Sequence, residues 1–205
     1  MNKKKSYYYD KQVEELERID SLSKRPSLLM HVCCAVCSTA PLEILTKHFE
    51  VSLFFNNSNI YPETEYTRRL QELYKYLQLR YPDIKVITVP YDHDEYMAEL
   101  RPYSDCKEGQ ERCHICYEKR MRQAYKYAEE NNYDYFCTVM TISRQKNSFV
   151  LNEIGEKLEK EFPKTKYFYS DFKKNGGQQR SIDLRKEYDL YQQDYCGCEY
   201  SFRNK

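Results

Sequence analysis

Residues 27–38 read Ser27-Leu28-Leu29-Met30-His31-Val32-Cys33-Cys34-Ala35-Val36-Cys37-Ser38. The first six residues form a short, largely apolar run without charge, which predicts a buried strand. That strand ends at Cys33 and Cys34, so two thiols stand where a strand gives way to a turn. A helix is predicted from near Ser38, with Leu42, Ile44 and Leu45 on its apolar face.

Further along, residues 51–55 predict a second strand, followed by the loop Asn56-Asn57-Ser58-Asn59. Residues 63–80, opened by Pro62, predict a charged amphipathic helix, and residues 84–89 a third strand. Residues 92–112 are polar and irregular, with one short helix expected over 95–100. A helix over 113–130, a strand over 135–139, a helix over 148–162, a short strand over 166–169 and a last helix over 182–193 complete the pattern. Upstream, Val13, Leu16, Ile19 and Leu22 recur every third residue and predict a helix over 8–22. Residues 1–26 therefore read as a helical extension and residues 27–205 as the domain. Alternating strands and helices predict βαβ units, hence a single doubly wound α/β domain with a mainly parallel sheet.

In open α/β sheets ligands bind beyond the carboxyl ends of the strands. Cys33 and Cys34, the 56–59 loop and residues 138–146 each follow a predicted strand. They should share one edge of the sheet and hold the site.

The chain has 205 residues, 40% hydrophobic and 32% charged, which suits one globular domain and excludes disorder. No apolar run approaches the roughly 20 residues that span a bilayer. The lysines at positions 3–5 lead into Tyr7, Tyr8, Tyr9 and Asp10 rather than an apolar core, so a secretory signal is not expected and the cytoplasm is. The net charge of +1 gives no global attraction for nucleic acid, and any RNA contact must be local.

Nine cysteines in such a chain point to metal or redox chemistry rather than structural disulfides. They fall into Cys33-Cys34-x-x-Cys37, Cys106, Cys113-x-x-Cys116, Cys137 and Cys196-Gly197-Cys198. Cys106 and Cys137 also read as small buried hydrophobes. Two separated C-x-x-C groups can supply four thiolates, which serve a zinc ion and an iron–sulfur cluster equally well. The adjacent Cys33-Cys34 pair and the thiols left over after four are used favour iron–sulfur. A zinc-stabilised RNA-binding module and a thiol–disulfide enzyme using Cys34/Cys37 or Cys196/Cys198 remain the alternatives. His31 and His114 sit beside the cysteines, His31 reading as a strand residue with a satisfied ring, and His93 lies in the polar loop. Gly176-Gly177 makes no phosphate loop.

Five segments together carry a resemblance to one family. They are LLMHVCCAVCS (28–38), FFNNSNIYPETEYTRR (54–69), ERCHICYEKRMRQA (111–124), TVMTISRQKNS (138–148) and DFKKNGGQQRSIDLRKEYDLYQQDYCGCEYS (171–201). In this order, with the rare adjacent cysteine pair and the YCGC segment, they resemble the QueH family of epoxyqueuosine reductases. Val36 departs from the pattern, standing where the family often has proline.

The resemblance implies a Rossmann-like fold and two-electron deoxygenation of epoxyqueuosine at the wobble position of tRNA, the oxygen leaving as water. It implies a 4Fe-4S cluster on Cys33, Cys34, Cys113 and Cys116, no cobalamin, and an unidentified electron donor. Cys37 is placed by the resemblance near a further mononuclear iron. Cys196 and Cys198 match the family's C-terminal pair, implied to be redox-active and able to form a disulfide. Proton donors by residue type are Asp105, Glu108, His93 and Tyr195. Basic groups that suit phosphates are Lys119, Arg120, Arg122, Arg144, Lys146, Lys173, Lys174, Arg180 and Arg185.

Overall fold

β1 (Ser27–His31) lies in the middle of the sheet, parallel to β2 (Glu50–Phe55) on one side and β4 (Tyr135–Thr138) on the other. β3 (Val86–Thr88) extends the β2 side and β5 (Lys166–Tyr167) the β4 side. The order is β3-β2-β1-β4-β5 and every pairing is parallel. This is the doubly wound α/β architecture that the sequence predicts. The chain builds outward from β1 to β3, then returns to the other side of β1, which opens a crevice beyond β1 and β4. The computed structural model describes residues 4–203, so residues 1–3 and 204–205 lie outside the described residues.

Strand alternation sorts the core into two layers. Leu28, Met30 and Val32, with Leu53 and Phe55, pack against α2 (Ala35–His48) and α3 (Glu63–Arg80) through Leu42, Leu45, Leu73 and Tyr76. Leu29, Phe54 and Phe136 point the other way, onto α5 (Glu111–Glu130) and α6 (Ser148–Glu161) through Met121, Tyr125, Leu151 and Leu158. Cys137 is fully buried in the first layer and is a small hydrophobe, as one reading had it. α4 (His93–Ala98) and the 3-10 turn Arg101–Tyr103 occupy the polar stretch before α5. α7 (Gly177–Glu187) packs along α2, and α8 (Glu199–Arg203) ends the described chain.

Three boundaries differ from expectation for local reasons. α2 starts at Ala35 rather than near Ser38, because extended Cys34 caps it and accepts from the Cys37 N–H through its sulfur. β4 stops at Thr138 because its Oγ1 accepts from the Met140 N–H and starts the 3-10 turn Val139–Ile142. α7 runs over 177–187 instead of 182–193: left-handed Gly176 opens it, and Asp189, at φ 45°, turns the chain away after it.

α1 (Tyr7–Asp20) lies against the domain rather than apart from it. Tyr8 and Ile19 are buried, and Gln12 Oε1 accepts from the Asp171 N–H at 3.1 Å. Glu15 accepts from Tyr135 and from Lys166, bridging α1 to β4 and β5. Among the described residues no helix is long and apolar enough to cross a membrane.

Candidate metal centre

The sulfurs of Cys33, Cys34 and Cys37 lie within 4.8 Å of one another. β1 delivers the first two at its carboxyl end, and the first turn of α2 returns Cys37 to them. Cys34 Sγ accepts from the Cys37 N–H at 3.3 Å and from Gln193 Nε2 at 3.2 Å. Hydrogen bonds from the Cys34 and Cys37 thiols hold Cys33 well below the ordinary thiol range, against burial and with help from Lys146 and Arg120. The bond to Cys33 pushes Cys34 up to about 12 and also raises Cys37. The three thiols are therefore coupled, and their titrations belong to the group rather than to any one residue. Soft sulfur donors without a carboxylate suit zinc or iron.

A second set stands on the first turn of α5. Cys113 and Cys116 are both buried. The Gly109 N–H donates to Cys113 Sγ at 3.2 Å, and the Tyr96 hydroxyl donates to Cys116 Sγ at 3.3 Å. Burial raises Cys113 against the Gly109 bond, and Cys113 lines one cavity with Cys196 and Cys198.

Cys196 and Cys198 reach that region on a fixed turn. The Tyr61 N–H donates to the Gly197 carbonyl at 2.7 Å, and Arg69 Nη1 donates to the Cys196 carbonyl at 3.2 Å. Gly197 has φ 122°, and a Cβ there would stand 3.0 Å from Arg69 Nη1 and 3.2 Å from Ile60. Only glycine fits this approach without strain.

Two cavities meet here. One, of about 290 Å³, is lined by Cys106, Cys113, Cys196 and Cys198 with Asp105 and Glu108. The other, of about 510 Å³, is lined by Cys33, Cys37 and Cys196 with Arg144, Lys146 and Gln193. Cys196 borders both.

Buried cations surround the thiols. Arg120 is 3% exposed and Arg69 2% exposed. Arg69 is paired with Glu65 at 2.7 Å. Burial opposes the charge of Lys146, yet Cys196 and Cys33 outweigh it and raise its pKa. His31 donates to or accepts from Thr138 Oγ1 at 2.8 Å through Nδ1, while its buried Nε2 has no partner. Burial, then Arg120 and Lys146, push His31 down to about 3, so the ring is neutral.

A family model described as Epoxyqueuosine reductase QueH matches residues 28–204. The Epoxyqueuosine reductase QueH of Streptococcus pyogenes serotype M1 is 38% identical over 206 residues, covering 98% of this chain and 80% of that protein. Its Staphylococcus aureus counterpart is 36% identical over 200 residues, covering 94% of this chain and 83% of that protein. The one from Thermotoga maritima is 30% identical over 183 residues, covering 85% and 90%. The chain belongs to the QueH family.

Within this QueH-family fold, the residues expected at the site are on one edge of the sheet. The 56–59 loop is buried and structural: Asn57 Nδ2 donates to the Val32 carbonyl at 2.8 Å, and Asn56 Nδ2 to the Arg120 carbonyl at 2.9 Å. It locks the cysteine turn to α5. One expectation is corrected. All nine cysteines, including Cys196 and Cys198, are free thiols, so the disulfide expected between that pair is not formed. Cys198 Sγ lies 3.5 Å from Ser201 Oγ.

Among the expected proton donors, Asp105 and Glu108 line the smaller cavity and Tyr195 the larger. His93 lines neither; its Nδ1 meets the Ser58 carbonyl at 2.8 Å and its ring lies by Tyr61 and Tyr91. Several expected RNA contacts are engaged elsewhere. Arg122 is paired with Glu118 and Glu161, Arg180 with Glu43, Lys119 with Glu99 and Lys173 with Asp171. Arg120 is buried. Arg144 and Lys146 are the members of that set that line the larger cavity.

The sequence reading passed over Arg69, Gln193, Tyr96 and Gly109. Their signal is three-dimensional: none lies next to a cysteine in sequence, and each meets the site by contact across the fold or across a loop.

Proposed function

We propose that this chain reduces epoxyqueuosine to queuosine in tRNA, the epoxide taking up two electrons and two protons and releasing its oxygen as water. The observation that carries this reading is the placement of Cys33 and Cys37, of Cys113, and of Cys196 and Cys198 along two cavities that share Cys196 and Glu108. Membership of the QueH family supports it.

The thiolate set fits a 4Fe-4S cluster on Cys33, Cys34, Cys113 and Cys116, with Cys37 holding an adjacent iron and without cobalamin. Bound there, these centres would supply single electrons and a Lewis acid for the epoxide oxygen. The chain's own residues do the rest. Lys146 and Arg144 hold the anionic RNA at the larger cavity, Cys196 stands between the cavities at the reacting centre, and Glu108, which lines both, is placed to relay a proton from solvent to the departing oxygen. The enzyme works in the cytoplasm on tRNA with an electron donor still to be identified.

A second reading rests on the compactness of the Cys33, Cys34 and Cys37 group. Thiolates bound tetrahedrally to one zinc at about 2.3 Å lie roughly 3.8 Å apart, which such a group can reach. Metal analysis of anaerobically purified protein separates the two. Iron with sulfide and broad visible absorption supports the reductase; a colourless, fully active zinc protein excludes the iron–sulfur chemistry.

A further inference from the structure

Arg120 stands on α5 with 3% of its surface exposed. Its hydrogen-bond partners are neutral: Nε donates to the Cys116 carbonyl at 3.4 Å, Nη1 to Asn57 Oδ1 at 3.4 Å and Nη2 to Met140 Sδ at 3.0 Å. No carboxylate pairs with it among the described residues. Burying a guanidinium without an anion is costly, and long contacts to a carbonyl, an amide and a thioether do not offset that. Arg69 differs, because Glu65 neutralises it. Lys146 differs too, because it is partly exposed and lines the larger cavity. Cys116 stands one helical turn before Arg120 on α5, within 3.4 Å through its carbonyl, and burial of the guanidinium is opposed by Cys116 and, from the other cysteine group, Cys33. Its counter-ion is therefore the thiolate centre itself.

We infer that Arg120 is a positioning residue whose fixed positive charge balances the thiolate-bound metal centre and raises its reduction potential. A cation held in a low-dielectric site favours the more negative, reduced state of its neighbour. This rests on the iron–sulfur reading above.

The test uses the full chain, purified anaerobically, as wild type, Arg120→Gln and Arg120→Lys. Iron and sulfide are measured first, then the midpoint potential by a redox titration followed by electron paramagnetic resonance. The expected result is a more negative midpoint for Arg120→Gln at unchanged iron and sulfide, with Arg120→Lys close to wild type. Should Arg120→Gln lose the centre while Arg120→Lys keeps it, the charge is again what matters. An unchanged midpoint in loaded Arg120→Gln overturns the inference while leaving the iron–sulfur reading intact. Loss of the centre in both variants also overturns it, since shape rather than charge would then be at work. A wild-type protein without iron overturns the iron–sulfur reading and this inference together.

Discussion

Arg69 Nη1 donates to the Cys196 carbonyl at 3.2 Å, and this bond sets the C-terminal cysteine turn on α3. The same guanidinium lies 3.0 Å from where a Cβ on Gly197 would stand. Gly197→Ala should therefore push the turn outward. A non-glycine residue at such a φ carries strain of about 1–3 kcal/mol. We expect at least a tenfold loss of reductase turnover with iron content nearly unchanged, read from paired turnover and iron assays. Wild-type turnover in Gly197→Ala would mean that the turn is not held where the reaction occurs.

The cysteines divide by their surroundings. Cys33→Ala, Cys34→Ala, Cys113→Ala and Cys116→Ala should each lower iron and sulfide and abolish reduction. Cys196→Ser and Cys198→Ser should keep most of the iron and lose most of the turnover, because Cys196 borders both cavities. Cys137→Ala should keep iron and turnover and lose about 1 kcal/mol of stability, the worth of a small buried side chain. Iron, sulfide and turnover on one preparation of each variant check the division. A Cys196→Ser protein that loses its iron would make that residue a ligand instead.

RNA binding should depend on the cations that line the larger cavity. Arg144→Ala should weaken tRNA binding by about 1 kcal/mol and reduce the salt dependence of affinity by roughly one phosphate contact. Arg180→Ala and Arg122→Ala, which break surface ion pairs with Glu43 and Glu161, should leave both unchanged. Fluorescence anisotropy with tRNA at several salt concentrations measures this, and equal effects from all three substitutions would contradict it.

The docking of α1 has a pH signature. Burial opposes the charge of Glu15, but Arg18, Tyr135 and Lys166 outweigh it and lower its pKa to about 2, from an ordinary value of 4.5. A carboxylate lowered on folding stabilises the fold above its ordinary value, and that contribution is lost as pH falls from 4.5 towards 2. Discounted for solvent at this rim, the effect is about 1–2 kcal/mol. Glu15→Gln should be less stable at pH 7 and should lose less stability on acidification through that window. Urea unfolding at pH 7 and pH 3 measures the difference; parallel losses in both proteins would remove Glu15 as the cause.

What the sequence disclosed follows from how local each signal is. The apolar run at 27–32, the thiols after it and the alternation of strand and helix patterns all lie within short windows, and they give the parallel sheet and its working edge. The start of α2 escaped because capping by Cys34 through its sulfur lengthens the helix by a turn that Val36 and Cys37 do not advertise. The end of α7 escaped because residues 188–193 keep an apolar spacing although the chain turns at Asp189 and leaves the helix, with Tyr191 bound to Glu65 and Glu72. Arg120 looked like a surface cation among its neighbours Lys119 and Arg122, and only the packing of α5 on the sheet shows it buried. The cysteine groups were legible as groups; that the Cys37 sulfur comes within 4.8 Å of both Cys33 and Cys34 required the turn in three dimensions.

The most direct measurement is an anaerobic single-turnover assay of the iron-loaded protein with tRNA carrying epoxyqueuosine and a chemical reductant, the nucleosides being resolved by mass spectrometry. The account predicts conversion to queuosine, with a mass loss of one oxygen, that disappears in Cys196→Ser. Unchanged epoxyqueuosine with a fully loaded wild-type protein, or equal conversion by protein that contains zinc and no iron, would contradict it.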